Sequence, residues 1–202
     1  MPGIALIAAA AALTFAPQKP FAECVPDPEN YLAMSFQDFD QGVQAVPDGP
    51  RKEWGWREIA KQHGCETAVA DLISQWRERN DASLNPLERS FIAFHEGQLR
   101  ASGGDYAGAL PLIEAGRVAF GDAAGQAYVD ALVAFLRSDR DALIAARERL
   151  LAVPEPANWP ELQRMFREQA GQEMRWPRNI EATDRLLQCF GKPYSALDEC
   201  AG

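Results

Sequence analysis

Residues 91–116 read FIAFHEGQLRASGGDYAGALPLIEAG, and the fold class follows from how this stretch is parsed. Two helical patterns meet at Gly103-Gly104, so the segment is expected to form two antiparallel helices joined by a short turn. The same periodicity extends in both directions. Asn85-Pro86 supplies a cap followed by proline at the start of the first helix. Upstream, a helix is expected from about residue 66 to 79, with Val69, Leu72, Ile73 and Trp76 spaced by three and four. A shorter one is expected from about 53 to 62, closed by Gly64. Asp27-Pro28 opens another, with Tyr31, Leu32, Met34, Phe36 and Phe39, and breaks follow at Gly42 and at Pro47-Asp48-Gly49-Pro50. Downstream of the change in texture at Pro154-Glu155-Pro156, helices are expected around 160–170 and 179–190, the second ending at Gly191-Lys192-Pro193. No alternating run of Val, Ile, Thr and aromatic residues is long enough for a strand. The fold class is therefore all-α, with helical hairpins packed side by side.

Gly97, then Gly104-Asp105-Tyr106, then Ala109 fall at the spacings of the small and turn residues of tetratricopeptide repeats, and the stretch resembles that family. Small residues matter there because two helices cross closely only where no long side chain separates them, and the turn glycine permits a positive φ. A second, weaker copy follows 33 or 34 residues later, with Tyr128, Ala131, Phe135, the turn Ser138-Asp139-Arg140, and Ala142-Leu143; the family's period is 34 residues. The chain departs from the pattern at Ala93, Arg100 and Gly116, where the family favours Trp, Tyr and Ala. The resemblance covers residues 87–153. It implies a short solenoid, with a plain antiparallel bundle as the alternative, and flanking helices as caps, the carboxyl-terminal one spanning 154–202. It also implies a concave groove presenting Phe94, Gln98, Tyr128 and Phe135 to another protein or peptide.

The net charge of −9 argues against a nucleic-acid partner, which needs a concentrated cationic surface, and against an anionic membrane. The hydrophobic content of 47% in 202 residues is enough for one well-buried helical domain over 24–202. Residues 4–15 are almost wholly Ala, Leu and Ile without a charge, which reads as the core of a signal peptide over 1–16, with its end as late as 22. The rival is a buried amino-terminal helix. No stable membrane insertion is expected once the leader is removed.

Four cysteines, Cys24, Cys65, Cys189 and Cys200, lack the close spacing of metal or redox pairs and read as two structural disulfides. Cys24 with Cys65 and Cys189 with Cys200 is the favoured pairing, because each stays in its own terminal region. Each loop closure stabilises by about 3 to 4 kcal/mol on the chain-entropy account. Disulfides and leader together place the protein in the periplasm or outside the cell.

Candidates for chemistry are few. His63 and His95 lack the second histidine of a zinc helix, Gly103-Gly104 lacks the lysine and hydroxyl of a phosphate loop, and no cofactor, metal or catalytic residue is assigned. Trp54 and Trp56 beside Arg51, Lys52 and Arg57, and Trp176 between Arg175 and Arg178, offer either a stacking site for a ligand or indoles packed between helices. The functional expectation is an exported interaction module or adaptor. A small exported inhibitor of immunity type, and an envelope enzyme with a carboxylate site, are the alternatives.

Overall fold

A computed structural model describes residues 17–42, 55–170 and 173–200. The expected leader, the break at Pro47-Asp48-Gly49-Pro50, and Arg51, Lys52 and Trp54 lie outside the described residues. Among those described, eleven α-helices run in the order α1 (Phe21–Cys24), α2 (Pro28–Leu32), α3 (Phe36–Gln41), α4 (Trp56–Ala60), α5 (Glu66–Asn80), α6 (Pro86–Ser102), α7 (Tyr106–Ala115), α8 (Ala123–Leu136), α9 (Arg140–Leu151), α10 (Trp159–Ala170) and α11 (Ile180–Gln188). Short 3₁₀ turns stand at 81–83, 116–118 and 194–196, and these described residues contain no strand.

Helix α6 starts where the Asn85 side chain accepts the amides of Leu87 and Glu88 and Glu88 reaches back to the Asn85 amide, a full capping box with Pro86 at the first helical position. It then packs against α7 with almost no gap. A Cβ on Gly97 would lie 2.9 Å from Ile113 Cγ1 and 3.0 Å from the Ala109 carbonyl oxygen, so only glycine allows this crossing. Nearer the start of α6, Ser90 Oγ donates to the Ala115 carbonyl at 2.7 Å and accepts the Ala119 amide at 2.9 Å. Early residues of α6 thus meet late residues of α7, as the antiparallel hairpin requires.

The turn after α6 and the turn after α8 are built alike. In the first, the amides of Gly103, Gly104 and Asp105 donate to the carbonyls of Leu99, Ala101 and Arg100; in the second, those of Arg137, Ser138 and Asp139 donate to Val133, Phe135 and Ala134. Every pair in the second turn stands 34 positions beyond its counterpart. Gly104 (φ 91°) and Ser138 (φ 56°) both take the left-handed conformation, and Asp105 and Asp139 both cap the following helix through the side chain. A serine in this conformation costs more than a glycine.

On the other side of α6 lies α5, also antiparallel to it. Glu96, buried, accepts from Arg77 through one oxygen and from Arg100 Nε at 2.9 Å through the other, while Arg100 also faces Asp71 at 3.4 Å. Trp76 of α5 stacks on Phe39 at 4.5 Å and donates from Nε1 to the Met34 carbonyl at 3.1 Å, which fastens α2 and α3 to it. The single helix expected from Pro28 is divided at residues 33–35, because Ser35 caps α3 by accepting the Asp38 amide. Asp27 does not cap α2; its carboxylate accepts from Asn30 Nδ2 instead.

Both disulfides join the expected partners, Cys24 to Cys65 and Cys189 to Cys200, each with Cα atoms 5.7 Å apart. The first ties α1 to the start of α5. Helix α11 packs on α8 and α9, with Arg147 paired to Asp184, and the second bridge folds the following turn back under it. Helix α10 stands apart: Trp159 is buried against Trp176, but Leu162 and Met165 are exposed.

Replacing Gly97 with valine is expected to lower stability by about 1–3 kcal/mol, the usual cost of forcing atoms into a filled contact. Urea denaturation reads the loss, and an unchanged midpoint would show that α6 and α7 are not in contact at this residue.

Candidate functional site

The four side chains expected to line an open groove are placed differently by the structure. Phe94, Tyr128 and Phe135 are 2%, 7% and 4% exposed, and only Gln98 keeps appreciable contact with solvent. The expectation of an open aromatic groove is therefore corrected. Phe94 is covered by Phe120, 4.5 Å away in the turn after α7, and by Gly116; Phe135 is covered by Phe190 and Tyr194 from the carboxyl-terminal segment. The segment read as an end cap laps across the face that a ligand was expected to occupy.

What remains open is a groove along its edge. Its smaller part is a cleft of about 280 Å³ where Gln98 and Ser102 of α6 and Tyr128 of α8 face Arg185 of α11 and Tyr194 and Asp198 of the tail. Its larger part is a cleft of about 560 Å³ floored by Phe91 and Phe120 and rimmed by Phe166, Arg175 and Arg178. Ala182 and Arg185 line both parts, so the two clefts adjoin along α11. The rim cations are engaged with acids: Arg178 with Asp122, Arg175 with Glu181 at 3.6 Å, and Arg185 with Asp198 at 3.4 Å.

A line of polar groups leads to the smaller cleft from the amino-terminal helices. Arg57 donates from Nε to the Asp40 carbonyl at 2.7 Å, and from Nη2 to Asp40 Oδ1 at 2.8 Å and His95 Nε2 at 3.2 Å. A guanidinium only donates, so Nε2 is the acceptor and the His95 proton sits on Nδ1. That proton is given to Gln98 Oε1 at 3.1 Å, which turns the Gln98 amide nitrogen outward to donate to Tyr194 Oη at 3.3 Å. The Tyr194 amide in turn donates to Tyr106 Oη at 2.8 Å. Each step has one donor and one acceptor, and together they determine which end of Gln98 the cleft sees.

Electrostatics agree with this assignment. Burial against Trp56, Phe91 and Phe94, followed by the adjacent Arg57 charge, holds the His95 imidazole down to about 3, so it is neutral near pH 7. Burial raises the Asp40 carboxyl, and the Arg57 charge and the hydrogen bonds from Trp56 and Arg57 oppose that rise. Burial also pushes the Tyr194 phenol up to about 12 and raises Tyr128, with the nearby Arg185 working against both. Both phenols keep their protons at physiological pH.

Of the tryptophans expected to offer a stacking site, the two described, Trp56 and Trp176, pack against neighbouring side chains. Trp56 is 5% exposed, donates to Asp40 and carries the Arg57 guanidinium 4.3 Å above its ring, while Trp176 lies on Trp159 and donates to the Val153 carbonyl at 3.0 Å. Among the described residues, no three His, Cys, Asp or Glu side chains are grouped to hold a metal ion, and no helix is long and apolar enough to cross a membrane. Sequence reasoning placed Gln98 and Tyr128 at the site but missed Asp40, Arg185 and Tyr194. These come from separate segments and carry no shared spacing that could have marked them. No known protein family, curated protein or solved structure matches the chain.

The depressed His95 value gives a signed prediction. An imidazole neutral in the folded state but titrating near 6.5 when unfolded stabilises fully above that pH, and the contribution is lost as pH falls through 6.5 towards 3. Between pH 7.5 and 5.5 the loss is about 1.4 kcal/mol. Thermal unfolding of the wild type should therefore weaken over this interval more steeply than that of His95→Gln, in which the exposed His63 and every carboxylate are unchanged. Equal slopes would show that His95 takes up its proton in the folded state as readily as in the unfolded chain.

Proposed function

We propose that this is an exported helical-hairpin protein, stacked in the manner of tetratricopeptide repeats, that works by holding a segment of another polypeptide rather than by catalysis. The groove along α6 and α11 carries this reading. It has aromatic floor residues, Phe91 and Phe120, at one end and side-chain donors, Gln98, Ser102 and Arg185, at the other. A peptide in extended form offers this combination, an apolar side chain for the hollow and acceptors for the donors.

Two features support the remainder of the proposal. The turns after α6 and α8 share one hydrogen-bond pattern at a 34-residue offset, which is the period of tetratricopeptide arrays. Two disulfides fit an oxidising compartment such as the periplasm, in keeping with the apolar run at residues 4–15.

A photoreactive amino acid placed at Ser102 tests the reading directly in cells. It should yield a discrete crosslinked polypeptide, reduced at least fivefold when Phe91 is also changed to alanine. The same residue at Gln75, exposed on α5, should not yield that product. Identical products from both positions would overturn the proposal.

A further inference from the structure

We infer that the smaller cleft is a carboxylate-binding subsite, in which Arg185 pairs with the anion while the phenol O–H groups of Tyr128 and Tyr194, steered by the Gln98 amide, donate to its oxygens. The argument rests on the polarity of the groups that converge there. A carboxylate offers acceptors only, and Arg185 and the two phenols offer it donors, with Asp198 as the one acid in the lining.

Each donor has a reason to be available. Gln98 turns its nitrogen to the phenols because its oxygen already takes the His95 proton, and His95 is held in that tautomer by Arg57, so the phenol oxygens are occupied as acceptors and their hydrogens point elsewhere. Tyr194 and Tyr128 are both at least nine-tenths buried and line the cleft. Tyr194 Oη accepts from Gln98, which leaves its own hydrogen to give. Burial keeps both phenols protonated, as shown by their raised values. Arg185 is 42% exposed, and its partner in the free protein is Asp198, whose side chain is 96% exposed. A solvated pair of this kind contributes little and is readily exchanged for a better-placed anion.

The rest of the lining says what should accompany the anion. Leu132, Leu186, Ala182 and Leu197 supply apolar walls beside the donors, so the ligand carries its carboxylate on an apolar body. The volume of about 280 Å³ holds one side chain with its terminal carboxylate, or a small organic acid. The carboxylate can thus come from a polypeptide end or from a free acid, and the subsite stands on its own lining whichever of these supplies it.

Titration with N-acetylphenylalanine, followed through the ¹⁵N signals of the Gln98 side chain and Arg185 Nε, tests the subsite. A saturable shift of both signals is expected, at least tenfold weaker with N-acetylphenylalaninamide and at least tenfold weaker in Arg185→Gln. Tyr194→Phe, which keeps the ring and its packing, should weaken it about threefold to tenfold. The inference is overturned by equal binding of the amide, by undiminished binding to Arg185→Gln, or by no saturable shift with the acid. An alanine-rich octapeptide ending in phenylalanine separates the sources. Binding at least tenfold tighter than N-acetylphenylalanine assigns the carboxylate to a polypeptide end; equal binding assigns it to a free acid, and then the polypeptide reading fails while the subsite stands.

Discussion

The close approach of α6 to α7 at Gly97 is the constraint from which the remaining packing follows. With the two backbones in contact there, α7 is brought tightly against one flank of α6, and the turn at 116–118 comes to rest over Phe94. The opposite flank must then bury Glu96 against α5, which is tolerable only because Arg77 and Arg100 both donate to it. A lone carboxylate at that depth would shed its charge or unfold its surroundings. Ile92 packs with the amino-terminal cluster and Phe94 with the carboxyl-terminal one, so α6 is shared by both halves of the core. What is left of its surface, the strip from Phe91 through His95 and Gln98 to Ser102, becomes the polar seam and one wall of the groove.

Local features of this architecture were legible in the sequence, and distant ones were not. The Gly103-Gly104 turn, the Asn85 cap and both disulfide partners depend on residues near one another or on how few pairings four cysteines allow, and the structure agrees with each. The division between α2 and α3 was missed because Ser35 as a cap outweighed an apolar spacing that continued across it. Phe94, Tyr128 and Phe135 were read as groove residues because repeat geometry directs them to the concave side. In the structure Phe120 packs over Phe94, and Phe190 and Tyr194 pack over Phe135, all arriving from elsewhere in the chain. Nothing in the spacing of residues 190–194 announces where the tail will lie. Asp40 and Arg57 likewise meet His95 only through the folding of separate helices.

The polar seam also gives His95 a structural part. His95 is packed between aromatic rings and passes orientation from a permanent cation, Arg57, to an amide that would otherwise be free to flip. Asp40 secures the guanidinium from behind with both its backbone and side-chain oxygens. The amino-terminal helices therefore bear on the groove without touching it. Their contribution is to the direction of a dipole, not to the shape of a wall.

The Cys189–Cys200 bridge has a topological consequence for the smaller cleft. Tyr194, Ser195, Leu197 and Asp198, which form its outer side, all lie within the 11-residue interval that the bridge closes. That side of the cleft is a covalent ring hung from the end of α11, whereas the other sides are ordinary helix surfaces. In a reducing environment the ring opens, and the segment is held by the Tyr194 contacts to Tyr106, Gln98 and Phe135 without the covalent closure. The complete form of the cleft therefore depends on a covalent bond of a kind that persists in oxidising surroundings.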